Sequence, residues 1–181
     1  MTRFALALLA LVLGACPSSQ RTEPTIANAQ PARPAQPAPA IDERDVIVKT
    51  VLERFIADPN SMPDDGLLPD TGPIYVLAEI GEPVTHTVAP ASLPNNPRPF
   101  VLKPLAELQA EADRTKATVA FIRFYELDVH DSTSANVSIG ADIALPSHSN
   151  AIKMCCCSEG ARWEKHDGRW TPGGVRVMSC S

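Results

Sequence analysis

The chain has 181 residues, a formal net charge of -5, and 44% hydrophobic residues of which few are aromatic. From residue 41 onward 13 Lys/Arg stand against 20 Asp/Glu. Phosphate binding needs clustered Lys and Arg, so this balance argues against a nucleic-acid partner, and the scarcity of aromatic rings argues against a broad base- or sugar-stacking surface.

Thr2-Arg3 supplies one positive charge, and residues 4–13 form an apolar run. At about ten residues it has the dimensions of a signal-peptide core, roughly half of the 20 residues a membrane-spanning helix needs. Leu13-Gly14-Ala15-Cys16, which closes the run, resembles the lipobox of bacterial lipoproteins. That resemblance implies removal of residues 1–15, thioether lipidation of Cys16 and acylation of its new amino terminus by a chain such as palmitate. An ordinary secretory cut after Ala15 wants a small residue where Leu13 stands. Ala27-Asn28-Ala29 has the small residues but lies too far beyond the apolar run. Each buried methylene contributes about 0.8 kcal/mol, so two or three acyl chains anchor durably where one does not. Pro17 in place of an aspartate after the cysteine implies, by the same resemblance, the outer membrane, with the domain in the periplasm.

Residues 16–40 hold the lipidated cysteine and a Pro-rich linker, with Pro31, Pro34, Pro37 and Pro39 closely spaced. Such chain extends about 3.1 Å per residue and reaches roughly 75 Å. Residues 41–181 are long enough for one globular domain with its own core.

Within the domain, residues 41–57 are expected to form a helix with Asp42 as N-cap, Glu43 and Asp45 in its first turn, and Ile47, Val48, Val51, Leu52 and Phe55 on its buried face. Asp58-Pro59-Asn60 stops it. Residues 74–80 and 83–88 read as short strands, and the proline-rich residues 89–99 as a loop. Residues 103–114 read as a second helix with Pro104 in its first turn and Leu105, Leu108 and Ala112 inward. The clearest strand starts at Thr118, with Val119, Phe121, Tyr125, Leu127 and Val129 on one face and Ala120, Ile122, Phe124, Glu126, Asp128 and His130 on the other. After a turn at 131–134, Val137, Ile139, Ala141, Ile143 and Leu145 alternate down its partner. Residues 152–165 and 170–180 are the last two strands, joined at Asp167-Gly168, a type I′ pair.

Glu164-Lys165-His166-Asp167-Gly168-Arg169-Trp170 is similar to the closing hairpin of cystatin-like and NTF2-like domains. The resemblance covers about the last 65 residues and implies an α+β fold: an N-terminal helix and a short second helix on a curved antiparallel sheet, ending in a long C-terminal meander, with a pocket between helix and sheet.

If Cys16 carries lipid, Cys155, Cys156, Cys157 and Cys180 remain, in an oxidising compartment. The tight turn pairs positions summing to 335, which sets Cys155 opposite Cys180. Val175 and Val177 then fall away from the tryptophan face, and Pro172-Gly173-Gly174 cannot pair regularly. A one-residue bulge returns the valines to that face and sets Cys156 opposite Cys180. The reading is therefore a cross-strand disulfide from Cys180 to Cys156, with Cys155 as second choice, closing a loop worth about 3 kcal/mol. A soft metal ion held by these thiolates with His148 or His166 is a weaker reading, since adjacent strand residues point to opposite faces. Redox exchange is weaker too, because no Cys-x-x-Cys is present.

Arg123 lies oddly among apolar neighbours and calls for a buried acid or a bulge. With Tyr125, Glu126, Asp128 and His130 it makes the candidate pocket; Glu126, Asp128 and His130 share a strand face, where a carboxylate two residues from a histidine offers acid-base work, although a solvated face is the stronger reading. His86 has no partner legible in the sequence. No triad order, phosphate loop or calcium loop occurs. No metal or cofactor is called for. The expectation is a lipid-anchored envelope protein, held to the membrane by its N-terminal lipid, that serves as a non-catalytic interaction or accessory module for an envelope partner. A small-ligand binder with an internal cavity is the alternative.

Overall fold

A computed structural model describes residues 42–63, 66–149 and 156–180. The residues read as signal peptide, lipobox and linker, and Cys155, lie outside the described residues. The domain is α+β: two helices and a six-stranded sheet of order β4-β1-β5-β6-β7-β8, with a separate two-stranded ribbon β2-β3. The strands are β1 (Ile74–Leu77), β2 (Glu79–Ile80), β3 (His86–Thr87), β4 (Phe100–Lys103), β5 (Val119–Val129), β6 (Ser134–Ala144), β7 (Cys157–His166) and β8 (Arg169–Cys180). No described helix is long and apolar enough to cross a membrane.

Helix α1 (Glu43–Ala57) begins where the sequence places it. The Asp42 carboxylate accepts the Arg44 amide proton at 2.9 Å, and all five residues of the expected apolar face are buried. That face packs on Ile122, Phe124 and Leu127 of β5, Val137 and Ile139 of β6, and Trp163 and Trp170 of the last hairpin. Helix α2 (Leu105–Thr115) covers the opposite face, where Leu108 and Ala112 meet Val119, Phe121, Leu77 and Ala144. Pro104 is its N-cap rather than a first-turn residue, and Leu105 points to solvent at 48% exposure instead of inward.

The sheet is mixed, not the antiparallel sheet expected. β1 runs parallel to both β4 and β5. Strand β4, which falls between the expected loop at 89–99 and the expected helix from 103, is the cause: α2 connects β4 to β5 and carries the chain back to the same end, as parallel strands require. The expected strand at 74–80 breaks at Ala78 into β1 and β2, and that at 83–88 shrinks to β3.

Two bulges correct the register. On β5, pairing with β6 shifts by one residue between Phe124 and Glu126. The extra residue, Tyr125, swaps the faces, so that Leu127 joins Ile122 and Phe124 under α1 while Arg123 joins Glu126 and Asp128 outside. On β8, the register with β7 shifts between Ala161 and Trp163, and Gly173-Gly174 help take up two extra residues, not one. Cys157, not Cys156 or Cys155, is thereby opposite Cys180, and Val177 faces away from the tryptophans, opposite Gly160.

Candidate functional site

The residues read as a pocket do not line one cavity. Arg123 and Asp142 are diagonal neighbours on the outer sheet face, because Arg123 pairs with Gly140 and Phe121 with Asp142. Gly140 has no side chain to block the reach between them. Arg123 Nη1 donates to Asp142 Oδ2 at 3.2 Å, its Nη2 donates to Glu82 Oε2 at 3.1 Å, and its guanidinium lies 5.0 Å from the centre of the Tyr125 ring. Asp142 is 1% exposed and also accepts the Ile143 amide proton at 2.7 Å. A carboxylate this deep needs a charge partner and donors to remain in the fold, and Arg123 answers that need. The guanidinium is engaged on both edges and one face, so it clamps the β2–β3 ribbon to β5. Burial first, and then the Asp142 carboxylate, push the Tyr125 phenol up to about 12, with Arg123 opposing. Tyr125 therefore stays protonated and serves no base chemistry in the ordinary range.

The other pocket residues lie further along. Glu126 borders a shallow trough of about 300 Å³ on the outer face with Asn136, Gly160, Arg162 and Val177. Asp128 Oδ2 and His130 Nδ1 lie 3.5 Å apart on exposed side chains at the strand's end. With solvent around both groups, nothing holds a substrate against them.

The structure supplies His86 with the partner that the sequence hid. Its Nε2 lies 3.2 Å from Asp45 Oδ1, at the first turn of α1, and its Nδ1 lies 3.9 Å from Asp42. The Ala89 amide also donates to Asp45, at 3.3 Å. Burial pushes the Asp45 carboxyl up, but the neighbouring Ser92 hydroxyl, the Ala89 amide and His86 outweigh it and hold the group below its usual range. This cluster docks the ribbon and the following loop onto the N-terminal end of α1. At the same end, Glu43 accepts from Lys165 Nζ at 2.7 Å and from Trp170 Nε1 at 2.9 Å, which draws its carboxyl below the usual range.

In the cysteine hairpin, Cys157 and Cys180 are joined by a disulfide across directly opposed positions, with a Cα separation of 4.0 Å. Cys156 is also disulfide-bonded; it is buried, and its Sγ lies 3.4 Å from Asp142 Oδ1. All three described cysteines are thus oxidised and offer no thiolate to a metal. His166 is drawn instead to Glu164 at 3.3 Å. Among the described residues no three metal-binding side chains gather.

Between α1 and the sheet, a void lined by Val51, Arg54, Met62, Val137, Ile139 and Trp163 has a volume of about 10 Å³, room for about one water. A larger hollow of about 380 Å³ opens where β1, β5 and the end of α2 meet, lined by Leu67, Pro73, Tyr75, Glu111, Thr118 and Ile143. There Tyr75 donates to Glu111 Oε1 at 2.9 Å, Lys103 pairs with Glu111, and the Lys103 ammonium lies 4.3 Å from the Tyr75 ring centre. These donors draw the Glu111 carboxyl down, Lys103 most of all.

Asp142 and Glu82 went unread as partners of Arg123, although one signal existed. A lone arginine in the apolar half of one strand and a lone aspartate in the apolar half of its hairpin partner are natural complements. No protein-family model, no curated protein and no solved structure matches this chain.

Proposed function

We propose that this protein is a bacterial envelope lipoprotein, anchored through Cys16, probing the periplasm on a Pro-rich spacer and acting by interaction rather than catalysis. The observation that carries the reading is Leu13-Gly14-Ala15-Cys16 at the end of a ten-residue apolar run. In support, the buried polar groups around Arg123 satisfy one another and the acid-base pair Asp128–His130 stands in solvent. The helix-first, meander-last order also supports a cystatin-like or NTF2-like ancestry for the domain, while the parallel β4-β1-β5 arrangement departs from that pattern.

Metabolic labelling with a fatty acid tests the anchor. Wild type incorporates label and partitions into detergent, and Cys16→Ala does neither. Equal partitioning of both forms would overturn the proposal, and the mature N-terminal mass independently locates the cut.

A second reading, a small-ligand binder, rests on the open hollow beside Tyr75 rather than on an internal cavity, since the void beneath α1 admits no more than a water. A ligand seated there raises the thermal midpoint by mass action and loses that effect in Tyr75→Ala. Stabilisation that survives the substitution would place the ligand elsewhere.

A further inference from the structure

Cys156 has a bonding partner that the last hairpin does not supply. The chain has five cysteines. Cys157 and Cys180 take each other, and Cys156 is disulfide-bonded as well. By count its partner is Cys16 or Cys155. In a mature lipoprotein the Cys16 sulfur is a thioether and forms no disulfide, so the count leaves Cys155, the neighbour in sequence. Cys155 lies outside the described residues, and its assignment comes from the sequence and the three described cysteines.

The two bonds then differ in what they contribute. Cys157–Cys180 closes a loop of sequence separation 23 and restricts the unfolded chain, whereas a bond between neighbours closes no loop and adds little to stability. Cys156 moreover has a φ of 97°, a region in which a residue with a Cβ is strained. Opening a bond at this residue therefore takes little from the fold and lets the backbone relax, and strained disulfides are the labile ones. The sulfur also sits against a group that responds to its state. Cys156 Sγ lies 3.4 Å from Oδ1 of Asp142, a carboxylate that is 1% exposed. In a disulfide this sulfur has no proton to give, and as a thiol it donates to that oxygen. Reduction thus brings a new donor to the carboxylate that binds Arg123, which in turn binds Glu82.

We infer that Cys155 and Cys156 form a vicinal disulfide that opens and closes as a two-electron redox site while Cys157–Cys180 stays closed; the exclusion of Cys16 rests on the anchoring proposal. The reductant is a dithiol. One of its thiolates bonds to one sulfur of the pair, and the other sulfur leaves with the electrons of the broken bond and takes up a proton. The second thiol of the reductant then displaces the first sulfur, which is protonated in its turn. Two thiols form on the protein and one disulfide on the reductant, so the exchange balances.

The test takes the full chain, exported and extracted in detergent, through a graded series of reduced against oxidised dithiothreitol, with an acid quench, alkylation and tryptic mapping at each step. Trypsin cuts after Lys153, Arg162 and Arg176. At the oxidised end, fragment 154–162 should emerge joined to fragment 177–181, lighter by two hydrogens than that one cross-link requires, and without alkylating reagent. Along the series Cys155 and Cys156 should take up reagent together, at a reduced-to-oxidised ratio about tenfold or more below the one that opens Cys157–Cys180. Cys16→Ala should leave the map unchanged. Reagent on Cys156 at the oxidised end, a fragment 154–162 joined to the one that carries Cys16, a thiol freed at Cys156 by Cys16→Ala, or both bonds opening at one ratio would each overturn the inference. Fatty-acid labelling of the same preparation keeps the two proposals apart, because an unlabelled Cys16 beside an intact Cys155–Cys156 bond would sink the anchor and leave this site standing.

Discussion

Where β4, β1 and the start of β5 lie side by side, helices cover both faces of the sheet, α1 through Ile122 and Phe124 and α2 through Phe121 and Leu108. The β7–β8 hairpin is built otherwise. It gives Trp163 and Trp170 to the core beneath α1, leaves Ser158, Gly160 and Arg162 on an uncovered face, and ends in a disulfide. One region is held by apolar area on two sides and the other by apolar area on one side plus a covalent bond. The parallel pairs need this double cover, because a helix crossover necessarily lays a helix on the sheet. The hairpin can dispense with it because its neighbours in space are also neighbours in sequence.

That contrast can be broken at either end. Phe121→Ala empties the α2 side of a fully buried ring and is expected to cost about 4 kcal/mol in urea unfolding, the largest effect here. The double substitution Cys157→Ala, Cys180→Ala releases a loop of sequence separation 23 and should cost about 3 kcal/mol. Hydrogen exchange would then rise first in β7 and β8 while β1 and β5 keep their protection, and uniform loss across the sheet would mean that the two regions are one cooperative unit. Gly140→Ala probes the junction, since a Cβ there would strike the Cys157 carbonyl oxygen. The strands must move apart, at about 2 kcal/mol. Asp42→Ala removes the cap of α1, which underlies both regions, and should cost about 1 kcal/mol without favouring either.

The smallest effect is the pH dependence. Glu43 is lowered from 4.5, chiefly by Lys165 and then Trp170, and Asp131 is lowered to about 2 by the Thr133 hydroxyl and amide and by Ser134. A depressed carboxyl contributes its stability above the unfolded value and loses it as pH falls through the folded one. Stability should therefore hold from neutrality to about pH 4.5 and decline as the pH approaches 2. Glu43→Gln should flatten part of that decline, seen as urea midpoints that differ less between pH 7 and pH 3.

The legible parts of the sequence were those where one element decides its own outcome. The cap at Asp42, the apolar face from Ile47 to Phe55 and the Asp167-Gly168 turn follow from local periodicity and backbone preference, and the structure contains them. Strand β4 was missed because four residues before a proline carry too little period to tell a strand from a helix approach. The disulfide joins the two strands expected, but the partner of Cys180 is Cys157 rather than Cys156 or Cys155. Counting from the turn fixes the pairing only as far as the Pro172-Gly173-Gly174 irregularity, and the number of residues a bulge absorbs depends on how the strand lies on its neighbour.

Arg123 shows the same division. Its misfit among apolar residues announced a buried acid or a bulge, and the fold has both, but which acid was a matter of pairing between β5 and β6. Sequence by itself determined the helix, the closing hairpin, the α+β class and the residues that had to be explained, because each depends on contacts a few positions apart. The mixed sheet, the faces exchanged at Tyr125, the Asp142–Arg123–Glu82 clamp, the Asp45–His86 contact and the Cys157–Cys180 bond were decided by tertiary structure. The last three join residues 19 to 41 positions apart, where a register change of a single residue reverses which side chains meet.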